Sequence, residues 1–245
     1  TMRGMAASPS AATATARQAA DACARGALPE ARRICEFILR RTPDDVAALN
    51  VLCLVEYRSG NILDALSLVE RAIGLCARNA HLHAARGAIL RAAGRTMDAV
   101  HAYDRALGIA PSEPSILSNR GNALAALGRL EAALADHDEA ILRGGDDPGR
   151  LVNRAMVLQS LRRLDEALAD ADRAIGTAPG HSGAHDLRGT ILRDLGRDIE
   201  ALEAYVQAAT LAPSDPAAFY HRANLLRDLG ETEAAAIDPM PILRR

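Results

Sequence analysis

The chain has 245 residues, is 49% hydrophobic but only 2% aromatic with no Trp, and carries a formal charge of −2. The apolar share is ample for a core in one or two domains, while the near-neutral balance excludes a global basic field of the kind that gathers nucleic acid. No stretch approaches the ~20 apolar residues needed to cross a bilayer.

Val, Ile, Thr, Tyr and Phe form no alternating runs, so strands are not supported. A core of Ala, Leu, Val and Ile favours helices packed closely through small residues. Lys is absent and every basic residue is Arg, which, beside so much Ala, reads as genome composition bias. The N-terminus TMRGMAASPSAATATARQAA lacks the apolar run of a secretory signal. Being Arg-, Ser- and Ala-rich with no acid before Asp21, it has the composition of an organellar transit peptide and equally of a disordered leader over residues 1–11. Cys23, Cys35, Cys53 and Cys76 form no CxxC pair. They read as small hydrophobes in a reducing, cytoplasmic compartment.

From residue 12 onward an internal period organises the chain. GRTMDAV at 94, GRLEAAL at 128, RRLDEAL at 162 and GRDIEAL at 196 recur with a step of 34 residues. The register gives units 12–45, 46–79, 80–113, 114–147, 148–181 and 182–215, a partial unit 216–236, and a non-repeat tail 237–245. Position twenty is Ala31, Ala65, Ala99, Ala133, Ala167, Ala201 and Ala235. Position eight is always small, and position twenty-seven is Ile38 and then Ala in every later full unit. Such columns let helix axes approach closely. Position fifteen is Gly except for Arg162, which suits the residue just past a helix C-terminus, where φ > 0 is wanted. Pro43, Pro111, Pro179 and Pro213 end the second helix. Each unit is therefore a helix, a tight turn, an antiparallel helix and a second turn.

These columns resemble the tetratricopeptide repeat family over about residues 12–236. The large residue usual at position four is replaced by Thr15, His83 and His185, and Glu56 stands at position eleven where later units have Leu. The resemblance implies an all-α, right-handed α-solenoid of stacked antiparallel helix pairs, with a concave groove lined by the first helices. A lone hairpin cannot bury its apolar face, so stability accumulates by stacking. In the seventh unit Pro239 and Pro241 fall where the second helix should run. An open, apolar last hairpin fits either a fragment of a longer protein or an end that self-associates.

Chemistry is sparsely signalled. HExxH, a strand-bound GxGxxG and GxxxxGK[ST] are absent, and GGDDPGR at 144–150 is, in register, an inter-repeat turn. His81 and His83 lie on different helix faces. His181 and His185 have metal-ligand spacing, but His181 precedes its helix, so packing is the expected role. No metal, cofactor or catalytic constellation is expected.

The positions that the resemblance directs into the groove are two, five, six, nine, twelve and thirteen. There the early units offer small or apolar residues and the later ones polar residues. The candidates for holding a peptide are Asn119, Asn122, Asn153, Arg193, His221, Asn224 and Arg227, since an Asn amide can both donate to and accept from a peptide backbone. In O-GlcNAc transferase repeats Asn in the sixth column does this. Asn119 and Asn153 match, whereas Ala85, Leu187 and His221 do not. The chaperone-binding subgroup holds a terminal carboxylate with cations as well as Asn. Asn122 and Asn153 match its Asn positions, but Ser118, Gly183 and Leu187 replace the cations, so that clamp is absent.

Position seven carries Arg86, Arg120, Arg154, Arg188 and Arg222. Acids at positions twenty-three and twenty-five are Asp104, Asp136, Asp138, Asp170 and Asp172. Each Arg is expected to bridge its own hairpin to those acids. Arg188, with Ala204 and Val206 there, is expected to be left for a partner. The reading is a non-enzymatic scaffold that binds a protein or peptide segment, with neither nucleic acid nor membrane as partner. The alternative is the substrate-recruiting repeat region of a larger glycosyltransferase- or sulfotransferase-type enzyme.

Overall fold

The computed structural model describes residues 9–230. The expected failure of the last second helix, and Ala235, lie outside the described residues. Thirteen helices and no strand occur among the described residues. The first helices of the hairpins are α1 (Pro9–Ala24), α3 (Val46–Arg58), α5 (Ala80–Ala92), α7 (Pro114–Ala126), α9 (Pro148–Ser160), α11 (Ser182–Asp194) and α13 (Pro216–Asp228). The second helices are α2 (Leu28–Arg41), α4 (Ile62–Leu75), α6 (Thr96–Ile109), α8 (Leu130–Gly144), α10 (Leu164–Thr177) and α12 (Asp198–Leu211). Helix α1 thus begins ahead of the expected start of the array. The chain divides into two compact units, Thr1–Ala123 and Leu124–Arg245. In each, helices pack on their hairpin partner and on the next hairpin, as α9 does with α10 and α10 with α11.

The turn between the two helices of a hairpin follows from one backbone state. Gly60, Gly94, Gly128 and Gly196 all have φ between 73° and 83°, and Arg162, the exception in that column, is held at φ 61°. The inter-repeat turns are closed by side-chain caps. Asp45, Asn79, Asp147, His181 and Asp215 each accept a backbone N–H at the start of the following first helix, which satisfies donors that the helix itself leaves open.

The small columns form the core. Ala31, Ala65, Ala99, Ala133, Ala167 and Ala201 are all fully buried. Within two hairpins the close approach is filled by a ring: Gly87 faces Tyr103 and Gly189 faces Tyr205, and both tyrosines are fully buried. Glu56, out of place by sequence, is buried yet paired, accepting from Arg32 Nη2 at 2.8 Å and from Asn61 Nδ2 at 2.7 Å. A buried charge is tolerable only when paired in this way.

The Arg column meets the expectation of a bridge within one hairpin at Arg154 and corrects it by adding bridges between hairpins. Arg86 meets Glu70 at 3.3 Å, Arg120 meets Asp104 at 2.7 Å, Arg154 meets Asp138 at 2.5 Å and Arg188 meets Asp172 at 2.7 Å. Every one of these acids belongs to the second helix of the preceding hairpin, because a first helix packs against that helix as well as its own partner. Arg188 is therefore not left without an acid. Arg154 also reaches into its own hairpin, donating from Nη1 to Asp170 Oδ2 at 2.7 Å. At the end of the column Val206 takes the acid's place, and the Arg222 guanidinium lies 5.6 Å from the centre of the Phe219 ring.

Candidate functional site

In the second unit the first helices α9, α11 and α13 pack side by side. Two hydrogen bonds lace their outer stripe. Gln159 Nε2 donates to Asp194 Oδ2 at 2.7 Å, and His221 Nδ1 meets Asp186 Oδ1 at 2.8 Å. A carboxylate only accepts, so Nδ1 of His221 carries the proton. The His221 ring also lies 5.5 Å from that of Tyr205, whose phenol burial pushes up to about 12.

The same two outer helices carry Asn153 on α9 and Asn224 on α13. Both are half-buried, and their amides bond to no described residue. Each offers a donor and an acceptor to an incoming chain. Arg193 and Arg227 stand exposed at position twelve, Arg227 3.9 Å from the neighbouring Asp228. His221 is thus brought together with these groups but is occupied by Asp186. Arg188 is not part of this stripe. It turns toward the second helices, between α10 and α12.

In the first unit Asn119 and Asn122 are half-buried on α7, with amides that bond to no described residue. The same unit holds a feature that the sequence reading passed over. A cavity of about 240 Å³ opens between α3 and α5, walled by Asn50, Leu54, Tyr57, His81, Ala85 and Ala88, with Cys53 and Ile89 beneath. Its walls are the groove register, positions two, five, six, nine and twelve. The signal lay in the smallness of Ala85 and Ala88, which makes the room. Burial pushes the Cys53 thiol up to about 11, so it offers apolar contact there rather than a nucleophile.

Three histidines are used by the scaffold. His83 Nε2 bonds the Ala77 carbonyl and His185 Nε2 that of Pro179, each at 2.9 Å, tying a first helix to the turn before it. His181 caps α11 through Nδ1, which accepts from Ala184 N at 3.0 Å. Among the described residues no three His, Cys, Asp or Glu side chains come together to hold a metal ion. In GGDDPGR the turn itself is confined to 145–147, where Asp146 pairs with Arg173 at 2.6 Å and Asp147 caps α9. No helix among the described residues is long and apolar enough to cross a membrane.

Stacked helical hairpins with small-residue columns and turns at positive φ define a helical-repeat protein. Residues 85–149 and 152–216 match the tetratricopeptide repeat family, and the chain belongs to that family. No curated protein matches it in sequence. Among solved structures it is similar to a chain of the APC/C hetero-tetramer Cut9–Hcn1, with TM-score 0.79 and 14% identity over 88% of this chain and 43% of that one. The chain thus spans less than half the length of that relative. It is also similar to a tetratricopeptide repeat protein from Parabacteroides merdae, with TM-score 0.75 and 19% identity over 95% and 94%. A third is YrrB, described as a tetratricopeptide repeat protein with an unusual peptide-binding site, with TM-score 0.58 and 19% identity over 76% and 96%. At these identities the likeness is one of fold.

Proposed function

We propose that this chain is a non-enzymatic scaffold whose first-helix faces bind an extended segment of a partner protein. The observation that carries the reading is the apolar cavity between α3 and α5, lined by groove-register residues with the Asn50 amide on its wall. It suits one apolar side chain of a peptide whose backbone amides bond to the Asn groups. On the second unit's face, Asn153 and Asn224 offer the same chemistry, and the Gln159–Asp194 and His221–Asp186 pairs hold their helices in place. The near-neutral charge and the pairing of Arg86, Arg120, Arg154 and Arg188 with carboxylates favour protein over nucleic acid as the partner.

Selection of peptides from a random library on the immobilised chain, followed by calorimetry, tests this. Leu54→Asp, or Asn153→Ala with Asn224→Ala, should weaken the selected peptides by about tenfold or more, the worth of one or two buried contacts. Peptides that bind equally well to all these variants would show that the first-helix faces are not the site.

A further inference from the structure

Arg154 and Arg188 hold the same place in consecutive first helices, yet the acid that Arg154 meets in its own hairpin is missing at Arg188. Arg154 donates through Nε to Asp138 of the preceding hairpin and through Nη1 to Asp170 of its own. Arg188 donates through Nε to Asp172 at 2.7 Å in the same manner. The counterpart of Asp170, however, is Ala204, a buried methyl. The Nη groups of Arg188 therefore bond to no described residue. Arg86 in the other unit shares that pairing, with Glu70 at 3.3 Å and Ala102 in the equivalent place. The cavity beside Arg188 is what gives a ligand room.

That cavity has a volume of about 610 Å³ and opens between α10, α11 and α12. Ile175, Leu202 and Val206 supply apolar walls, and Gln207 a polar rim. The second helices α8 and α10 carry acids at both twenty-three and twenty-five, whereas α12 carries Ala204 and Val206. A guanidinium with free donors, a pocket where the two preceding hairpins place Asp136 and Asp170, and aliphatic walls together specify an acid on an apolar stem. Glu203 also lines the cavity, and its carboxylate makes no ion pair with a described residue. Its charge opposes an incoming anion and weakens the site without filling it.

We infer that the cavity beside Arg188 is a second docking site, on the second-helix side of the hairpins, which takes an aspartate or glutamate side chain of a partner protein. The incoming carboxylate completes at Arg188 the pair that Asp170 completes at Arg154. The site is independent of the first-helix faces.

The probe is the capped tripeptide acetyl-Leu-Glu-Leu-amide, compared with its Gln counterpart and with inorganic phosphate, read by the NMR signals of the Arg188 guanidinium in the full chain. The Glu tripeptide should shift them saturably and the Gln tripeptide should not. Arg188→Gln should lower affinity by about tenfold or more, the worth of a hydrogen bond to a charged group. Ala204→Asp should do the same by supplying the acid from within, at a place where the fold already buries Asp170. Glu203→Gln should tighten binding, and Asn153→Ala should leave it unchanged. Equal shifts with the Gln tripeptide, or an Ala204→Asp chain that folds and binds undiminished, overturn the inference. A response to phosphate without one to the Glu tripeptide overturns the assignment to carboxylate.

Discussion

Replacing Gly189 with Ala sets helix propensity against packing, and the structure supplies the terms. A Cβ at Gly189 would stand 2.5 Å from Tyr205 Cε1, 2.7 Å from Cδ1 and 3.0 Å from Cζ. Tyr205 is fully buried and packs with Leu192, Ala201 and Leu225, so the ring has no solvent side to swing toward. Either the ring tilts or α11 and α12 separate. Overpacking of this kind costs about 1–3 kcal/mol, while Ala in place of a helical Gly returns about 0.5–1 kcal/mol. The net expectation is a loss of about 1–2 kcal/mol from a substitution that improves the helix. Gly176, exposed near the end of α10 with nothing within 4 Å of its would-be Cβ, is the matched control, and its Ala variant should gain about 0.5 kcal/mol. Denaturant titration followed by circular dichroism, fitted as a nearest-neighbour repeat array, reads both. In a Tyr205→Leu background the Gly189→Ala penalty should largely vanish. A Gly189→Ala chain as stable as its parent would refute the reasoning.

The remaining expectations concern the turn, the ion pairs and pH. Arg162→Gly should raise stability by about 1 kcal/mol, because φ 61° strains any side chain; an unchanged denaturation midpoint would count against that strain. Asp170, with a side chain only 3% exposed, accepts from both Arg154 and Arg173, so Asp170→Ala should cost about 1.5–3 kcal/mol. Asp138, half exposed, should cost under about 1 kcal/mol when replaced by Ala, and equal losses would show that burial does not set the ranking. His137 is fully buried with neither ring nitrogen hydrogen-bonded to a described residue, and burial lowers its pKa. Its folded-state pKa therefore lies below the unfolded value, so its contribution to stability is full above about pH 6.5 and is lost as the pH falls from there. His137→Leu should flatten the decline in denaturation midpoint between about pH 7 and 5; an unaltered slope would place the acid sensitivity elsewhere.

Much of this molecule is legible as periodicity. Small residues recurring at a fixed step report helix contact directly, because only Ala or Gly fits where two backbones approach. That is why Ala65, Ala99 and Ala167 could be placed in the core from the sequence, and each is fully buried. The Gly column reported the turn, and its one exception, Arg162, adopts the same left-handed backbone, which shows that the hairpin geometry outweighs the preference of a single residue. The cavity between α3 and α5 was harder to see. Ala85 and Ala88 carry no chemistry of their own and matter only through the space they leave beside Tyr57 and Leu54.

By itself, the sequence determined the repeat register, the helical hairpins and the identity of the core columns, because each depends on contacts within one repeat length. It pointed to charge pairs within one hairpin and missed those between repeats. In an array of fixed period, an Arg at position seven can have an acid 16 residues behind it as well as one 16 residues ahead, as Arg154 has in Asp138 and Asp170. Sequence separation cannot choose between them. Only the packing of each first helix onto the second helix of the hairpin before it decided that Arg188 meets Asp172 while its remaining donors open into a cavity beside Ala204.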